Sequence, residues 1–158
     1  MIIQITILKK TKKNFKIPFA FRIKGTPLNT NEISINSINI NLEQFKKSSK
    51  ENDVSITIYI VSLVIYAIYK TQYKNSKKTI NICIPIDLRN FFKSDTISNF
   101  VSHMMISIKP SKDSTFEDIV KLVSNDFNKK LEKDNVLATV KSDGSAINNL
   151  LVNIIPLP

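Results

Sequence analysis

The 158-residue sequence is poor in the residue types from which self-contained active sites are usually built. It has one cysteine, Cys83, so an internal disulfide is excluded. One histidine, His103, and this cysteine are too few for a structural zinc site, which needs about four such ligands, and we expect no metal. Two glycines, Gly25 and Gly144, are too few for a glycine-rich phosphate loop. Length and an apolar content of 42% fit one domain with a sizeable core.

The charge is unbalanced, with 23 basic residues against 13 acidic ones and a net charge of +10. Only Arg22 and Arg89 are arginine, whereas nucleic-acid binders favour the planar guanidinium for contacting phosphate and guanine. The excess is also local, because a run of basic residues precedes the first acid, Glu32. These residues are Lys9, Lys10, Lys12, Lys13, Lys16, Arg22 and Lys24. We interpret the run as a solvated linker and expect no nucleic-acid partner.

The apolar segments do not indicate export or a membrane anchor. Residues 2–8 are apolar, but the basic residues follow them, the reverse of the order in a secretory signal. The longest uncharged run, residues 54–69, has 16 residues, and a membrane-spanning helix needs about 20. We therefore predict a buried core helix, no membrane span and a cytoplasmic location, which also suits a lone thiol.

Apolar residues at helical spacing predict three helices. We expect the first to bury Leu42 and Phe45. The second, ending near residue 72, is apolar nearly all round, so it should be covered on most sides. The third should begin with a capping box that Glu117 completes. The residues predicted to cap the three helices are Asn41, Ser55 and Ser114.

Alternating apolar residues predict strands, and the clearest covers residues 79–87. We expect this strand to lie beside a second one at residues 97–108, with the helix of residues 54–72 packed across them. The other predicted strands are residues 2–8, 15–23 and 32–40, and the predicted turns are residues 25–27 and 143–144. Together these elements predict an α/β class (α+β, two layers), with a mixed sheet and helices packed on one face.

Few side chains are candidates for catalysis. A general base needs a partner that orients it, and no acid adjoins His103, so we interpret it as a partly buried strand residue. Cys83 lies in an isoleucine-rich strand with no adjacent cation, which indicates an inert thiol. Asp87 and Arg89 follow that strand, at a place where functional groups often lie. They form either a local ion pair or part of a functional site.

One stretch, residues 82–108, is more specific. Residues 85–89 read PIDLR, two phenylalanines follow at 91 and 92, and residues 96–100 read TISNF. This resembles the pattern P-V-[ND]-L-R, aromatic loop, T-x-x-N-F in the C-terminal lobe of the chloramphenicol acetyltransferase-like superfamily, which includes condensation domains. The similarity is strongest to bacterial alcohol acetyltransferase-like proteins. It extends over residues 15–157, so we assign residues 15–158 to a partial acyltransferase-like C-terminal lobe and residues 1–14 to a poorly matched basic segment.

The resemblance implies a partial acetyltransferase-like lobe that lacks the catalytic motif. In this superfamily the motif H-H-x-x-x-D lies in the N-terminal lobe, and its second histidine is the general base. The chain has no such pair, so we expect no catalytic residue and leave open whether it is an enzyme. Acyl-CoA or a carrier-protein thioester would be the donor in the family, held between the lobes, and we expect no cofactor on this lobe alone.

The same resemblance gives Arg89 a structural role between the lobes, because the matching arginine pairs with the aspartate of H-H-x-x-x-D. Asp87 and Asn99 are its neighbours in the motif and are further inter-lobe candidates. We therefore expect a fragment related to CoA-dependent acyltransferases, inactive alone, with a separately encoded N-terminal lobe as its partner. The alternatives are a small protein-interaction module and the product of a truncated, decayed gene.

Overall fold

Helices predominate in the computed structural model, which describes residues 19–25, 37–73, 76–93 and 99–147, with side chains up to residue 142. The helices are α1 (Leu42–Glu51), α2 (Ile56–Thr71), α3 (Phe116–Leu131) and α4 (Lys133–Ile147). The strands are β1 (Ile80–Asp87) and β2 (Val101–Ile108), and a 3-10 turn, Leu88–Asn90, follows β1. The described residues therefore form both helices and strands.

The chain divides into two compact units. The described residues of Lys12–Asn81 and Ser107–Asn125 form the first unit. Those of Ile82–Ile106 and Asp126–Pro158 form the second unit. Each unit is therefore formed from segments that are separated along the chain.

Helices α1 and α2 begin at the N-caps that the sequence predicts. The Asn41 side chain accepts a hydrogen bond from the backbone N–H of Gln44 at 3.0 Å. The Ser55 hydroxyl accepts one from the N–H of Ile58 at 3.2 Å. Each bond pairs a backbone donor that has no partner within its own helix.

The predicted burial of Leu42 is wrong, because this side chain is 57% exposed. The face of α1 that meets α2 runs through Phe45 and the buried Ser49, one turn apart. The Phe45 ring meets the Tyr59 ring edge-on, with centroids 5.2 Å apart. Leu42 is the first residue of the helix and lies before that contact begins.

Helix α2 is covered on most sides, as its composition predicts. The rings of Tyr59 and Tyr66 meet the Phe116 ring edge-on at 5.6 and 5.5 Å. The buried hydroxyl of Ser62 donates to the Ile58 carbonyl at 2.8 Å, so it has a partner inside the core. The buried positions are Ile58, Val61, Ser62 and Ile65, and the exposed ones, Leu63, Ala67, Lys70 and Thr71, follow a single stripe.

A membrane-spanning helix requires both length and apolarity. Among the described residues no single helix has both, and only α1 and α2 taken together do, with a bend of 87° between them.

The capping box of α3 lies one residue later than predicted. The Thr115 hydroxyl accepts from the Asp118 N–H at 3.2 Å, and an Asp118 carboxylate oxygen accepts from the Thr115 N–H at 2.9 Å. The predicted cap, Ser114, is buried and instead accepts from the Ser111 N–H at 2.9 Å. Because the turn before the helix engages the Ser114 hydroxyl, the adjacent threonine takes the capping position.

Strands β1 and β2 are neighbours in an antiparallel pair, which confirms the predicted adjacency. The burial of β1 alternates as predicted, with Ile80, Ile82 and Ile86 buried. Within the first unit, Ala20 forms an isolated parallel bridge with Thr79, outside the two strands. The sheet of the described residues is two-stranded and antiparallel, so the mixed sheet stays a prediction. The predicted α/β class is confirmed. That the helix of residues 54–72 lies across the sheet stays a prediction.

The predicted turn at residues 143–144 is wrong, because both residues belong to α4. A glycine inside a helix costs about 1 kcal/mol relative to alanine, which is too little to end a helix anchored elsewhere. Val136, 2% exposed, anchors this one. The predictions for residues 2–8, 15–18, 26–36, 97–98 and 148–158 lie outside the described residues. Of the strand predicted at 32–40, residues 37–40 have no regular structure.

Candidate functional site

The Asp87–Arg89 turn stands at the carboxyl end of β1. Asp87 is the last residue of the strand, and its Oδ1 accepts a hydrogen bond from the Arg89 N–H at 3.0 Å. The same oxygen lies 3.4 Å from a terminal guanidinium nitrogen of Arg89. One carboxylate oxygen therefore both begins the 3-10 turn and neutralises part of the arginine charge.

Both side chains of this pair remain in contact with solvent, with Arg89 40% and Asp87 48% exposed. An ion pair exposed to this degree contributes about 0–1 kcal/mol, so the pair holds the turn weakly. Of the two interpretations of Asp87 and Arg89, the structure therefore contains the local ion pair. Whether Arg89 links two lobes stays a prediction.

The side chain of Leu88, the first residue of the 3-10 turn, is buried and anchors the turn. The Leu88 N–H donates to the Phe100 carbonyl at 3.0 Å, which continues the pairing of β1 with the chain entering β2. Asn99, the third predicted site residue, immediately precedes Phe100 and is exposed. The structure therefore brings Asp87, Arg89 and Asn99 to the same end of the β1–β2 pair.

A loop that contains Phe91 and Phe92 follows the 3-10 turn at this end of the strands. The N–H groups of Phe91 and Phe92 both donate to the Leu88 carbonyl, at 3.0 and 2.9 Å. Their ring centroids are 6.5 Å apart. The ammonium of Lys133, at the start of α4, lies 5.8 Å from the Phe92 ring centre, within the range of a cation–π contact. No sequence signal placed Lys133 here, because more than 40 residues separate it from the loop.

The single histidine lies on β2 and does not have the expected environment. We predicted a partly buried residue, but the side chain of His103 is exposed, since β2 buries the alternate positions Met104 and Ile106. Cys83 is half-buried on β1. Among the described residues, no three side chains of histidine, cysteine, aspartate or glutamate lie close enough together to hold a metal ion.

The α/β fold and the PIDLR turn are the features that the resemblance to acetyltransferase lobes predicts. A family model described as alcohol acetyltransferase matches residues 10–155. This is nearly the whole chain, so the chain belongs to the alcohol acetyltransferase family. The match includes Asp87, Arg89 and Asn99. No curated protein and no solved structure matches the chain.

Proposed function

We propose that this chain is the lobe of an alcohol acetyltransferase that carries the Asp87–Arg89 turn, and that it does not transfer acetyl groups alone. The family match over residues 10–155 supports the acyltransferase part of the proposal. The presence of a single histidine, on an exposed strand face, supports the second part. Activity then depends on an H-H-x-x-x-D motif from a separate lobe.

Acetyl transfer to an alcohol requires removal of the proton of the acceptor hydroxyl. An alcohol near neutral pH attacks a thioester slowly unless a positioned base removes its proton as the carbon–oxygen bond forms. A base of this kind lies within hydrogen-bond reach of the substrate and is held by a third group. His103 is the one imidazole in the sequence, so these 158 residues do not contain the paired histidines of the family motif.

Arg89 is the residue that we assign to the contact with the second lobe. Its guanidinium is half-exposed at the end of β1, and the bond from its N–H to Asp87 fixes the direction of the turn. A planar guanidinium binds a carboxylate through two parallel hydrogen bonds, which gives the contact a defined geometry. The proposed acceptor is the aspartate of H-H-x-x-x-D.

Co-expression with an N-terminal lobe that carries H-H-x-x-x-D tests the assembly. We expect Arg89→Ala to reduce recovery of the complex in a pull-down, because the acidic group across the interface loses its partner. Arg22→Ala is the matched control, since Arg22 is the other arginine, is exposed and loses the same charge. Equal recovery of wild type and Arg89→Ala removes Arg89 as the link between lobes.

The activity assay is separate from the assembly assay. The purified chain should not transfer acetyl from acetyl-CoA to simple alcohols above background. Turnover that disappears in His103→Ala contradicts the proposal, because it makes His103 a base. Failure of the wild-type chain to bind any such lobe favours the decayed-gene alternative.

The alternative of a small interaction module has one observation in its favour. Ile38 and Ile40, in the segment before α1, are 83% and 61% exposed, and Leu42 is exposed beside them. Exposed apolar groups so close in sequence are typical of contact surfaces. If Ile38→Ser and Ile40→Ser abolish binding of the N-terminal lobe while Arg89→Ala retains it, the result supports this alternative.

A further inference from the structure

A cleft of about 540 Å³ lies within the first unit, away from the Asp87–Arg89 turn. The carboxyl-terminal half of α2 forms one wall, and the loop that leads into α3 forms another. Tyr73 and Pro110 are buried beneath it, and Lys70 and Lys112 are exposed at its edge. The lining residues are Tyr69, Lys70, Tyr73, Ser76, Pro110, Ser111 and Lys112.

The cleft carries positive charge. Two lysines line it, and its described lining includes no carboxylate. The nearest acids in the sequence, Asp113 and Glu117, line a neighbouring cleft of about 480 Å³, which shares Tyr69, Lys70 and Lys112 with this one. The Lys70 ammonium lies 5.4 Å from the Tyr66 ring centre, a cation–π contact that keeps the charge at this end of α2.

Internal hydrogen bonds fix the orientation of the hydroxyl groups along the cleft. The Tyr69 hydroxyl donates to the Lys112 carbonyl, and the Tyr73 hydroxyl donates to the Lys78 carbonyl. The Ser76 oxygen accepts from the Lys78 N–H at 3.2 Å, and the Ser76 side chain is also hydrogen-bonded to Tyr73. Burial raises the pKa of Tyr73, so its ring stays uncharged and adds no negative charge.

We propose that this cleft binds a phosphate monoester, with the phosphate between Lys70 and Lys112 and the organic group against Tyr69 and Tyr73. Two ammonium groups match the two charges of a phosphate monoester near neutral pH. This site goes beyond the proposed acetyl transfer and uses no residue assigned to it.

Size and lining distinguish the proposed ligand from simpler anions. A cleft of this volume exceeds what inorganic phosphate fills, and falls within the range of small-molecule sites. The half-buried ring of Tyr69 presents an aromatic surface to the organic group, and the buried Tyr73 ring supports it, with the two centroids 6.2 Å apart. A neutral aromatic alcohol would use that surface but leave both ammonium groups without a partner.

Phenyl phosphate is the probe that tests the proposal, with binding to the full chain measured by calorimetry and by NMR of the tyrosine rings. Phenol and inorganic phosphate are the comparison ligands. We expect phenyl phosphate to bind more tightly than either, and Lys70→Met and Lys112→Met each to raise its Kd about fivefold. The double variant should raise the Kd about twentyfold, and added salt should weaken binding.

Lys50→Met is the matched control, because Lys50 is an exposed helix lysine that loses the same charge outside this cleft. Its Kd should stay within about twofold of wild type, and Lys112→Arg should retain binding. An equal loss in Lys50→Met shows attraction to the net positive charge only, and overturns the site. Absence of phenyl phosphate binding to the wild-type chain at millimolar concentration overturns it as well. Circular dichroism establishes that the variants are folded.

Discussion

At the scale of single residues, the Thr115–Asp118 pair shows how a reciprocal cap fixes a charge. The Asp118 carboxylate accepts the Thr115 N–H, and the Thr115 hydroxyl accepts the Asp118 N–H. The bonds from Thr115 hold the pKa of Asp118 below its ordinary value, and Lys121 adds a smaller effect in the same direction. The negative charge also lies in the first turn of α3, where the helix dipole favours it.

Because the folded state lowers this pKa, Asp118 should make stability depend on pH in one direction. The contribution is present above the ordinary aspartate pKa near 4 and is lost as the pH falls through the lower folded value. Asp118→Asn keeps the acceptor and removes the charge, so the stability difference from wild type should shrink below about pH 4. Urea unfolding between pH 7 and pH 3 measures it. Asp113→Asn controls for net charge, and an unchanged difference across this range contradicts the assignment.

At the scale of elements, the connection between α1 and α2 depends on one strained residue. Asp53 has a φ of 52°, the only non-glycine residue with positive φ in the described chain. The Val54 N–H donates to the Ser49 carbonyl, and the Asp53 N–H to the Lys50 carbonyl. This is the Schellman pattern, in which the left-handed position usually belongs to glycine.

Asp53→Gly should therefore stabilise the chain by about 0.5–1 kcal/mol, because glycine adopts positive φ without the steric cost of a Cβ. The urea midpoint should rise. Asp113→Gly is the matched control, since Asp113 also lies in a turn but without positive φ, and this change should be neutral or destabilising. A lower midpoint for Asp53→Gly than for wild type contradicts the argument.

A second element-scale contact joins α3 to β2 within the second unit. The Lys130 ammonium donates to the Met105 carbonyl at 2.6 Å and to an Asp126 oxygen at 2.7 Å, and both side chains are mostly buried. Lys130→Met keeps the aliphatic stem and removes both bonds. We expect a loss of about 1–3 kcal/mol in chemical unfolding, because a half-buried carbonyl and carboxylate lose a donor.

Lys129→Met is the control for this helix, because Lys129 is exposed on the adjacent position and carries the same charge. Its unfolding free energy should stay within about 0.5 kcal/mol of wild type. Equal losses in the two variants would show that charge, rather than the contact with β2, accounts for the effect.

At the scale of the whole molecule, the net charge of +10 acts against compactness. Like charges repel more in the compact state than in the expanded one, and salt screens this repulsion over a Debye length of about 10 Å at 0.1 M. The thermal midpoint should therefore rise as sodium chloride increases from about 20 to about 200 mM. Replacing the exposed Lys50 and Lys93 by glutamate should reduce this rise. A midpoint that falls with salt contradicts the prediction.

The sequence by itself determined the contacts between residues two or three positions apart. Asn41 and Ser55 cap their helices as predicted, because a side-chain acceptor and the N–H that it serves lie within one turn. The Asp87–Arg89 bond follows from the same short range. The alternation of β1 was readable because one face of the strand is buried along most of its length.

Only the tertiary structure decided which of several locally equivalent residues is used. Serine and threonine are both residue types that cap helices. Because the Ser114 hydroxyl is hydrogen-bonded to Ser111, Thr115 caps α3 instead. Local pattern likewise could not give the exposure of Leu42 or His103, because exposure depends on which neighbours cover a face.

For a related reason, the sequence could not predict contacts between distant segments. The bond from Lys130 to the Met105 carbonyl spans 25 residues, and the cleft joins the end of α2 to the loop at residues 110–112. Each depends on how the elements pack, and a lysine at an exposed helix position has the same local sequence signal whether or not a carbonyl lies within reach. The family motif predicted the Asp87–Arg89 turn, but only packing produced a cleft lined by two lysines.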